Sequence, residues 1–516
     1  MKSKKITPIF IVALLLISSS FKLLAQPLNG VYAVGGTGSD FSDIYSACAA
    51  LSSRGVSGPV EFNFSSGVTN CAATIALGNI TGASLTNTIT FSGNGHAIRS
   101  NVSPIIKIDG GGYLVFDGFD IAGAANFVGI AFWIINNSHD IAINSCVINV
   151  GIASASQGSA CISTSQDPNA VNAGIHNIRH LKITNNQLTG GWACITMLNL
   201  ITPDTNQSHT ISNNKIEDFY SCGIYAHSGN LMEVNNNDIS RPNRQNSHTV
   251  VYGAYFSGAR TLRFNNNNIH HTGVGAYNAV AIYHWLHDDA GYLTSEITNN
   301  TISNINTTGS IYGFTFEQPV AYGLHIDSLK FYHNTIALNL PVGSVGEIRA
   351  VNISSVPATT TALIKNNILS ISGNGSGNKY LVAKTSAVTL KSNYNLFDLA
   401  VTGGNNYIGF TGFSFHGNLS SWKNSTMDVN SISADPVFAN IDCVNLIPLS
   451  GAGMNAGAGV GVLADKNGVV RSVSNPDIGA FEADSVINDL ALVSAVIKPS
   501  NACYSDTVFF TVKNAK

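Results

Sequence analysis

Side chains suited to ligand binding and proton transfer recur at matching positions in four segments. The aligned segments are Gly223-Ile-Tyr-Ala-His227, Gly253-Ala-Tyr-Phe-Ser257, Ala281-Ile-Tyr-His-Trp285 and Gly313-Phe-Thr-Phe-Glu317. Aromatic rings bind apolar ligand surfaces, and imidazole and carboxyl groups act as general acids and bases. Such residues form one site only if the four segments lie side by side.

Each segment has the alternating pattern of a β-strand, in which successive side chains point to opposite sides. The second positions of the four segments are Ile224, Ala254, Ile282 and Phe314. They are the more apolar set, so we expect them and the fourth positions to point inward. The third and fifth positions would then form an outward stripe containing Tyr225, Tyr255, Tyr283, Trp285, His227 and Glu317.

A six-residue phrase with a central Asn pair recurs between these segments and indicates how they are positioned. Its copies begin at Ile183, Ile211, Val234, Phe264, Ile297, Phe331 and Ile364, with looser copies ending at Ile121 and Ile148 and a late one over residues 390–395. Recurrence at intervals of 23 to 34 residues is typical of a solenoid, whose units bury their apolar faces by stacking.

The phrase predicts a strand, a bend at the Asn pair, and a second strand. Its flanking residues are mostly β-branched or aromatic, which favours strands, and Asn tolerates the left-handed backbone of a sharp bend. In stacked copies each Asn amide can donate to one neighbour and accept from the other. Ordinary exposed turns are the alternative, but they do not explain the apolar flanks.

With these features the chain resembles a right-handed parallel β-helix of the pectin-lyase-like superfamily, in its secreted bacterial form, over most of residues 29 to 483. The resemblance implies an all-β solenoid with an N-terminal capping helix. Beyond it, alternation over residues 490–497 and 508–512 predicts the start of a truncated β-sandwich at the C-terminus. The β-helix fold carries lyases, hydrolases, epimerases and non-catalytic adhesins, so the resemblance does not choose a function.

The chain divides into five predicted parts. They are a signal peptide (1–25), an N-terminal cap with the first strands (26–75), the coils (76–400), a closing segment (401–483), and a linker with an incomplete immunoglobulin-like domain (484–516). The charged quartet Asp465, Arg471, Asp477 and Glu482 is interpreted as structural closure. The signal peptide predicts an extracellular or cell-surface protein.

The cap is predicted to be a helix beginning at Asp40 or Ser39, with Phe41, Ile44, Cys48 and Leu51 on its buried face. A disulfide between Cys48 and Cys71 stays open, because spacing alone does not give connectivity. Three further cysteines, Cys161, Cys194 and Cys222, are predicted to stack inward on consecutive coils as small apolar residues.

Composition limits the partners. The 516 residues include only 11% charged ones and carry a formal net charge of −3. Cleavage after residue 25 would remove four lysines and bring the charge to −7, which argues against nucleic acid and anionic membranes as partners. No broad basic field exists for an anionic polysaccharide, although a local patch stays open. We expect a monomer without a membrane-inserted segment.

Two reactions are compatible with the candidate residues. Glycoside hydrolysis needs two carboxyl groups, which Glu317 with Asp288 or Asp289 would supply. β-Elimination needs a base and a cation, for which His227, His284, Arg241 and Arg244 are candidates, the two arginines also as substrate-binding residues. Related pectate lyases hold calcium with acidic residues on adjacent coils; no such column occurs here, so neither calcium nor another cofactor is indicated.

Two functions therefore stay open at the level of sequence. The first is a secreted or cell-surface β-helix protein that binds a polysaccharide along its flank through the stripe of Tyr225, Tyr255, Tyr283 and Trp285, with or without cleavage by a lyase or hydrolase mechanism. The second is a non-catalytic adhesin or structural stalk, in which the same rings only shield the strands.

Overall fold

The computed structural model describes residues 26–124, 127–199, 207–227, 229, 231–259, 261–273, 275–286, 294–318, 328–426, 428–441 and 444–482, and the backbone of two further strands at 490–497 and 508–514. The predicted signal peptide lies outside these residues. Side chains of the two C-terminal strands also lie outside them.

The described chain winds through three sheets of 13 strands each, in about 12 turns. Sheet I consists of Leu28–Val34, Val56–Phe64, Ile89–Ser92, Gly112–Asp117, His139–Asn144, Arg179–Thr184, Ser208–Ser212, Leu231–Asn235, Thr261–Asn265, Thr294–Thr298, Ser328–Tyr332, Thr361–Lys365 and Thr389–Asn393. Sheet II consists of Ile75–Leu77, Ile106–Asp109, Ile130–Ile135, Ala160–Ser163, Ala193–Leu198, Cys222–His227, Val250–Ser257, Asn278–Trp285, Ile311–Glu317, Ile348–Ser354, Lys379–Lys384, Asn406–Phe410 and Phe415–His416. Sheet III consists of Val68–Cys71, Ala97–Ser100, Asp120–Gly123, Val147–Asn149, Gln187–Thr189, Lys215–Glu217, Asp238–Ser240, Asn268–His270, Thr301–Ser303, Thr335–Ser344, Ile368–Gly375, Leu396–Thr402 and Ile432–Ser433.

Each turn contributes one strand to each sheet, in the order I, III, II, and neighbouring turns pair in parallel. The last pair of sheet II, which contains Phe415–His416, is antiparallel. Outside the three sheets, Phe438–Asn440 pairs with Asn445–Pro448, and Leu490–Ile497 pairs with Val508–Asn514, both antiparallel. The predicted all-β parallel β-helix is confirmed.

The two Asn of the repeated phrase have different roles. The first is the bend, with a left-handed backbone at Asn185, Asn213, Asn236, Asn266, Asn299 and Asn366. The second points inward and forms one hydrogen-bonded column through Asn186, Asn214, Asn237, Asn267, Asn300, Asn334, Asn367 and Asn395, with amide-to-amide distances of 2.9 to 3.2 Å. We call this the asparagine column.

Every turn around the column is held by the same set of bonds. The Nδ2 of Asn300 donates to Oδ1 of Asn334 (2.9 Å) and to the backbone oxygen of Phe264 (2.8 Å). Its Oδ1 accepts the backbone N–H of Asn267 at 2.8 Å. Because these groups are fully buried, each bond satisfies a polar atom that water cannot reach. The late copy is displaced by two residues from the sequence alignment, since Ser392, and not Leu390, pairs with Ile364.

The N-terminal capping helix begins a few residues later than predicted. Helix α1 spans Ile44–Arg54 and its N-cap is Asp43, which accepts the backbone N–H of Ser46 at 2.8 Å. Asp40 instead accepts the backbone N–H of Ala33, so the chain at Asp40 still belongs to the approach to the helix. The predicted inward residues Ile44, Cys48 and Leu51 are buried.

Phe41 precedes the helix and packs against Tyr32 and Phe62. Cys48 and Cys71 are both free thiols. The cap is therefore held to the first coil by apolar packing and by the bond from the Tyr45 hydroxyl to the backbone oxygen of Ala73 at 2.6 Å.

The prediction that three cysteines stack inward is wrong for Cys222. Ala160 pairs with Ala193, which places Cys161 beside Cys194, but Ala193 pairs in turn with Cys222. The turn before Cys222 is thus one residue longer, and a shift of one residue moves a side chain to the opposite face of a sheet. Cys222 packs outside the coil among Trp192 and its neighbours.

The closing segment covers the last coil and then runs back along the outside of the β-helix. Helix α2 (Leu419–Thr426) buries Trp422 against Phe397. Further on, the chain crosses the bends of earlier coils: Asn366 donates to the backbone oxygen of Ala458 at 2.7 Å, and Lys466 Nζ donates to that of Asn266 at 2.6 Å.

The charged quartet lies within this returning segment. Arg471 donates to Glu482 at 2.5 Å and to Oδ1 of Asn299 at 2.9 Å, and Asp477 accepts the backbone N–H of Asn455. Asp465 accepts two backbone N–H groups of its own turn. The quartet fastens the segment to the coils. None of the described helices is long and apolar enough to cross a bilayer.

Candidate functional site

The four aligned segments are adjacent strands of sheet II, in the register expected from the sequence. Tyr225 pairs with Tyr255, and Tyr255 pairs with Tyr283. Trp285 pairs with Glu317 on the next coil. The second positions are buried and the third and fifth positions, apart from Ser257 and Thr315, are half-buried at the outer face. The outward stripe is therefore one continuous surface.

Tyr225, Tyr255 and Tyr283, which we call the tyrosine row, stack on one another. Ring centroids are 5.0 Å apart in both pairs, with interplanar angles of 9° and 18°. The inner ring faces therefore contact other rings, and the row presents its edges and hydroxyl groups outward. Burial raises the pKa of all three phenols above the ordinary value, so they are hydrogen-bond donors at neutral pH.

Glu317 lies at the end of the tyrosine row and is held by two hydroxyl groups. Tyr283 donates to Oε2 at 2.6 Å, and Ser354 on the next coil donates to Oε1 at 2.6 Å. Burial, and then the bond to this carboxylate, raise the pKa of Tyr283. Two donors fix the orientation of the carboxylate while leaving further acceptor capacity on its oxygens.

A cavity of about 330 Å³ opens beside this carboxylate, and we call it the Glu317 cavity. It is lined by Val250, Tyr252, Asn278, Val280, Tyr283, Tyr312, Thr315, Glu317, Arg349, Asn352 and Ser354. Thr315 is only 2% exposed, and its Oγ1 has no hydrogen-bond partner. A buried hydroxyl without a partner costs free energy.

Arg349 forms part of the wall of the Glu317 cavity. Its Nε lies 2.8 Å from Oε1 of Glu347, and its Nη1 donates to Asn352 at 2.5 Å. The guanidinium also lies between two rings, 5.8 Å from the centroid of Tyr312 and 5.5 Å from that of Tyr380. Arg349 is thus both paired and stacked.

A second cavity of about 360 Å³ adjoins the first and is called here the His227 cavity. It is lined by Asn172, Gly174, Ile175, Leu198, Tyr225, His227, Tyr255, Ser257 and Trp285. His227 Nδ1 lies 3.2 Å from the Ser257 hydroxyl. Because Tyr255 pairs with Tyr283 and Trp285 pairs with Glu317, the two cavities are neighbours along the same face.

Arg241 and Arg244 lie away from this face. They are 2% and 1% exposed, respectively. Arg241 donates to the backbone oxygens of Phe219, Thr272 and Asn246, and Arg244 to those of Gly191, Asp218 and Ser154. Both guanidinium groups fasten a loop to the coils, so we do not include them in the site.

His284 and the paired aspartates also do not join the site. His284 points into the coil, where its Nε2 lies 2.7 Å from the Ser295 hydroxyl and burial lowers its pKa to about 3. Its fourth-position place in the strand already implied an inward orientation, so the role of base expected for it is not compatible with its position. Asp288 and Asp289 lie outside the described residues.

Sequence reasoning missed the residues that complete the Glu317 cavity. Tyr252 precedes Tyr255 by three positions, which in a regular strand puts the two on opposite faces. Two successive buried residues, Gly253 and Ala254, interrupt the alternation and bring both rings outside. Gly253 was the available signal, because a Cβ there would lie 2.5 Å from the backbone oxygen of Ala281.

Within the described residues, no three His, Cys, Asp or Glu side chains are grouped so that they could hold a metal ion.

Comparisons with known proteins return structures only. No family model matches the chain, and no curated protein matches it. The structure is similar to that of the pectate lyase Pel9A, with 12% identity and a TM-score of 0.34 over 89% of this chain and 98% of that one. It is also similar to a double mutant of the periplasmic alginate epimerase AlgG (12% identity, TM-score 0.28, covering 67% and 79%) and to the Dettilon tailspike protein (13%, 0.25, covering 62% and 61%). The assignment of the fold rests on this chain's own strand pairing.

Proposed function

We propose that this protein binds a polysaccharide along the outer face of sheet II. The observation that carries the proposal is the Glu317 cavity, which is lined by an oriented carboxylate, by Thr315 and by the rings of Tyr252, Tyr283 and Tyr312. Hydroxyl-rich ligands satisfy such groups, because each sugar hydroxyl both donates and accepts. Aromatic rings beside these groups supply the apolar contact.

The shape of the site supports an extended ligand. The two cavities are lined by residues from six adjacent strands, from Ala193–Leu198 to Ile348–Ser354. Six parallel strands span roughly 24 Å, since neighbours lie about 4.8 Å apart. A ligand crossing the coils would therefore contact both cavities at once, as several linked sugar units can and a single sugar cannot.

Glu317 is the candidate for acid–base catalysis, should the bound chain be cleaved. A glycoside hydrolase needs a second carboxyl group within about 5 to 9.5 Å of the first. Glu317 is the acidic residue among those that line this cavity, and the two aspartates proposed as its partner are not described. Binding is thus the function proposed, with hydrolysis or elimination as a second property of the same site.

A non-catalytic adhesin or stalk is the second candidate. It is favoured by the tyrosine row, because rings that stack on one another stabilise the face without leaving inner ring surfaces for a sugar. In either case we propose that the protein is exported through the signal segment at residues 1–25 and acts outside the cell as a monomer.

The proposal is tested by measuring retention of the mature protein in native gels that contain soluble polysaccharides, together with release of reducing or unsaturated ends. We expect retention by at least one polymer. Thr315→Val keeps the side-chain shape and removes the hydroxyl, and should weaken that retention about fivefold. Thr210→Val on the half-buried outer face of sheet I is the matched control and should leave it unchanged. Retention by no polymer, or equal effects of the two variants, would contradict the proposal.

A further inference from the structure

The charges at the outer face of sheet II are few and nearly balanced. Arg349 is the only Lys or Arg among the residues that line the two cavities. Its side chain is 17% exposed, forms an ion pair with Glu347 and donates a hydrogen bond to Asn352. Glu317 adds a negative charge that no cation in these two linings compensates. The site as a whole is therefore weakly negative.

Other cations that belong to these coils are directed elsewhere. Lys379 is fully buried and donates to the backbone oxygens of Gly375 and Gly403 at 2.5 and 2.7 Å. Lys384 is half-buried and lines neither of the two cavities. With Arg241 and Arg244 also buried, the local basic patch left open by the sequence does not form on this face.

The end of sheet II carries an exposed aromatic ring, Phe415, which packs against Phe410 at 4.7 Å. Arg349 is followed in register by Tyr380 and Tyr407, whose rings stack 5.4 Å apart, and Phe415 packs against Tyr407 at 4.8 Å. Phe415 belongs to the last strand of the sheet and is 55% exposed. This line of planar groups is continuous with the wall of the Glu317 cavity.

We infer that the ligand is an uncharged polysaccharide whose sugar rings present a face of C–H groups, and that one such face stacks on Phe415. The inference rests on the proposed function and specifies its ligand. A polymer with a carboxylate on every unit would bring repeated negative charges to a face that holds Glu317 and one already paired cation, which like-charge repulsion opposes. An uncharged chain meets no such cost, and its apolar ring face matches a phenyl group that carries no polar atom.

The test compares two sets of soluble polymers on the mature protein, one neutral (mixed-linkage β-glucan, arabinoxylan, galactan) and one uronate-rich (polygalacturonate, alginate). We expect retention by a neutral polymer, unchanged within twofold between ~0.05 and ~0.5 M NaCl, because uncharged contacts are not screened. Binding to uronate polymers alone would overturn the inference and leave the proposed function standing. Binding to neither set would overturn the proposed function itself.

A variant tests the ring contact. Phe415→Ala should weaken binding of the neutral polymer about fivefold to tenfold, while Val342→Ala, which shortens a 96% exposed apolar residue of sheet III, should leave it unchanged. Equal far-ultraviolet circular dichroism and melting temperatures of the two variants confirm that folding is intact. An unchanged affinity of Phe415→Ala would contradict the stacking on this ring.

Discussion

Sheets I and II are built by the same repeat, yet their outer faces carry different groups. On sheet I, side chains of alternating charge form a column from Glu233 through Arg263 and Glu296 to Lys330, with distances of 3.0, 3.8 and 2.7 Å. Each charge of the column meets an opposite charge on the neighbouring coil. On sheet II, Thr315 has a hydroxyl without a partner beside a cavity.

The charge column of sheet I continues from coil to coil, whereas the row of stacked rings on sheet II ends beside an oriented carboxylate and a cavity. Stacking sets identical positions about 4.8 Å apart, so complementary charges or like rings complete each other. The charge column and the tyrosine row are both completed in this way. The row of rings ends where Tyr283 pairs with Thr315, and the cavity opens there beside Glu317.

We expect the largest effect from disrupting the asparagine column, which supports both sheets. Asn300→Leu keeps the volume and deletes one member of the asparagine column, which removes the acceptor of the Asn267 backbone N–H and the side-chain donor to the Phe264 backbone oxygen. We expect a loss of about 3 kcal/mol in the free energy of unfolding, measured by urea titration. Asn339→Ala, an exposed amide of sheet III, should change it by less than ~0.5 kcal/mol. Similar losses in both variants would mean that the column is dispensable.

An acid titration probes the inward side of sheet II. Burial lowers the pKa of His284 to about 3, so the folded protein binds fewer protons there than the unfolded chain below pH 6.5. Stability that is present above pH 6.5 is therefore lost as the pH falls towards 3, by about 1.4 kcal/mol per pH unit for one such group. His284→Phe matches its neighbours Phe256 and Phe316 and should reduce that slope between pH 6 and pH 4. An unchanged slope would contradict the buried neutral imidazole.

Matched carboxyl variants sharpen the contrast between the two outer faces. Glu317→Gln removes the charge from the cavity and should weaken polysaccharide binding about tenfold, or about 1.4 kcal/mol, with little change in melting temperature. Glu296→Gln on sheet I should leave binding unchanged. The affinity of both variants for the same polymer is the measurement. A loss of binding in Glu296→Gln would mean that the ligand does not recognise sheet II selectively.

The smallest effect concerns the charge column alone. Arg263→Glu places three carboxylates on successive coils and should lower the free energy of unfolding by about 1 kcal/mol at low salt, since these side chains are 33% to 47% exposed. Added NaCl should reduce the loss by screening the repulsion. Urea titrations at two salt concentrations measure this, and a loss independent of salt would point to packing and not to charge.

The fold was predictable because the repeated phrase encodes its own register. Apolar flanks around Asn185-Asn186 and its later copies imply a strand, a bend and stacking, and the pairing of Tyr225, Tyr255 and Tyr283 followed from aligning the strands. The division between the bending Asn and the column Asn was not predicted, since both positions have the same residue type.

Other features depended on single residues that change register. One extra residue before Cys222 turned that thiol outward, and the interruption at Gly253 brought Tyr252 to the outer face. The burial of Arg241 and Arg244 was not predictable either, because the sequence does not show which backbone oxygens a loop arginine will contact. The candidate site was thus located from the sequence, while its charge and its walls were not.

Hydroxyl-radical footprinting of the protein with and without a bound oligosaccharide is the most direct test of whether the ligand binds the outer face of sheet II. We predict reduced oxidation of Tyr252, Tyr283 and Trp285, which line the two cavities of sheet II, and unchanged oxidation of Tyr113, a half-buried ring of sheet I. Protection of Tyr113 with no protection of Tyr252, Tyr283 or Trp285 would contradict binding at sheet II.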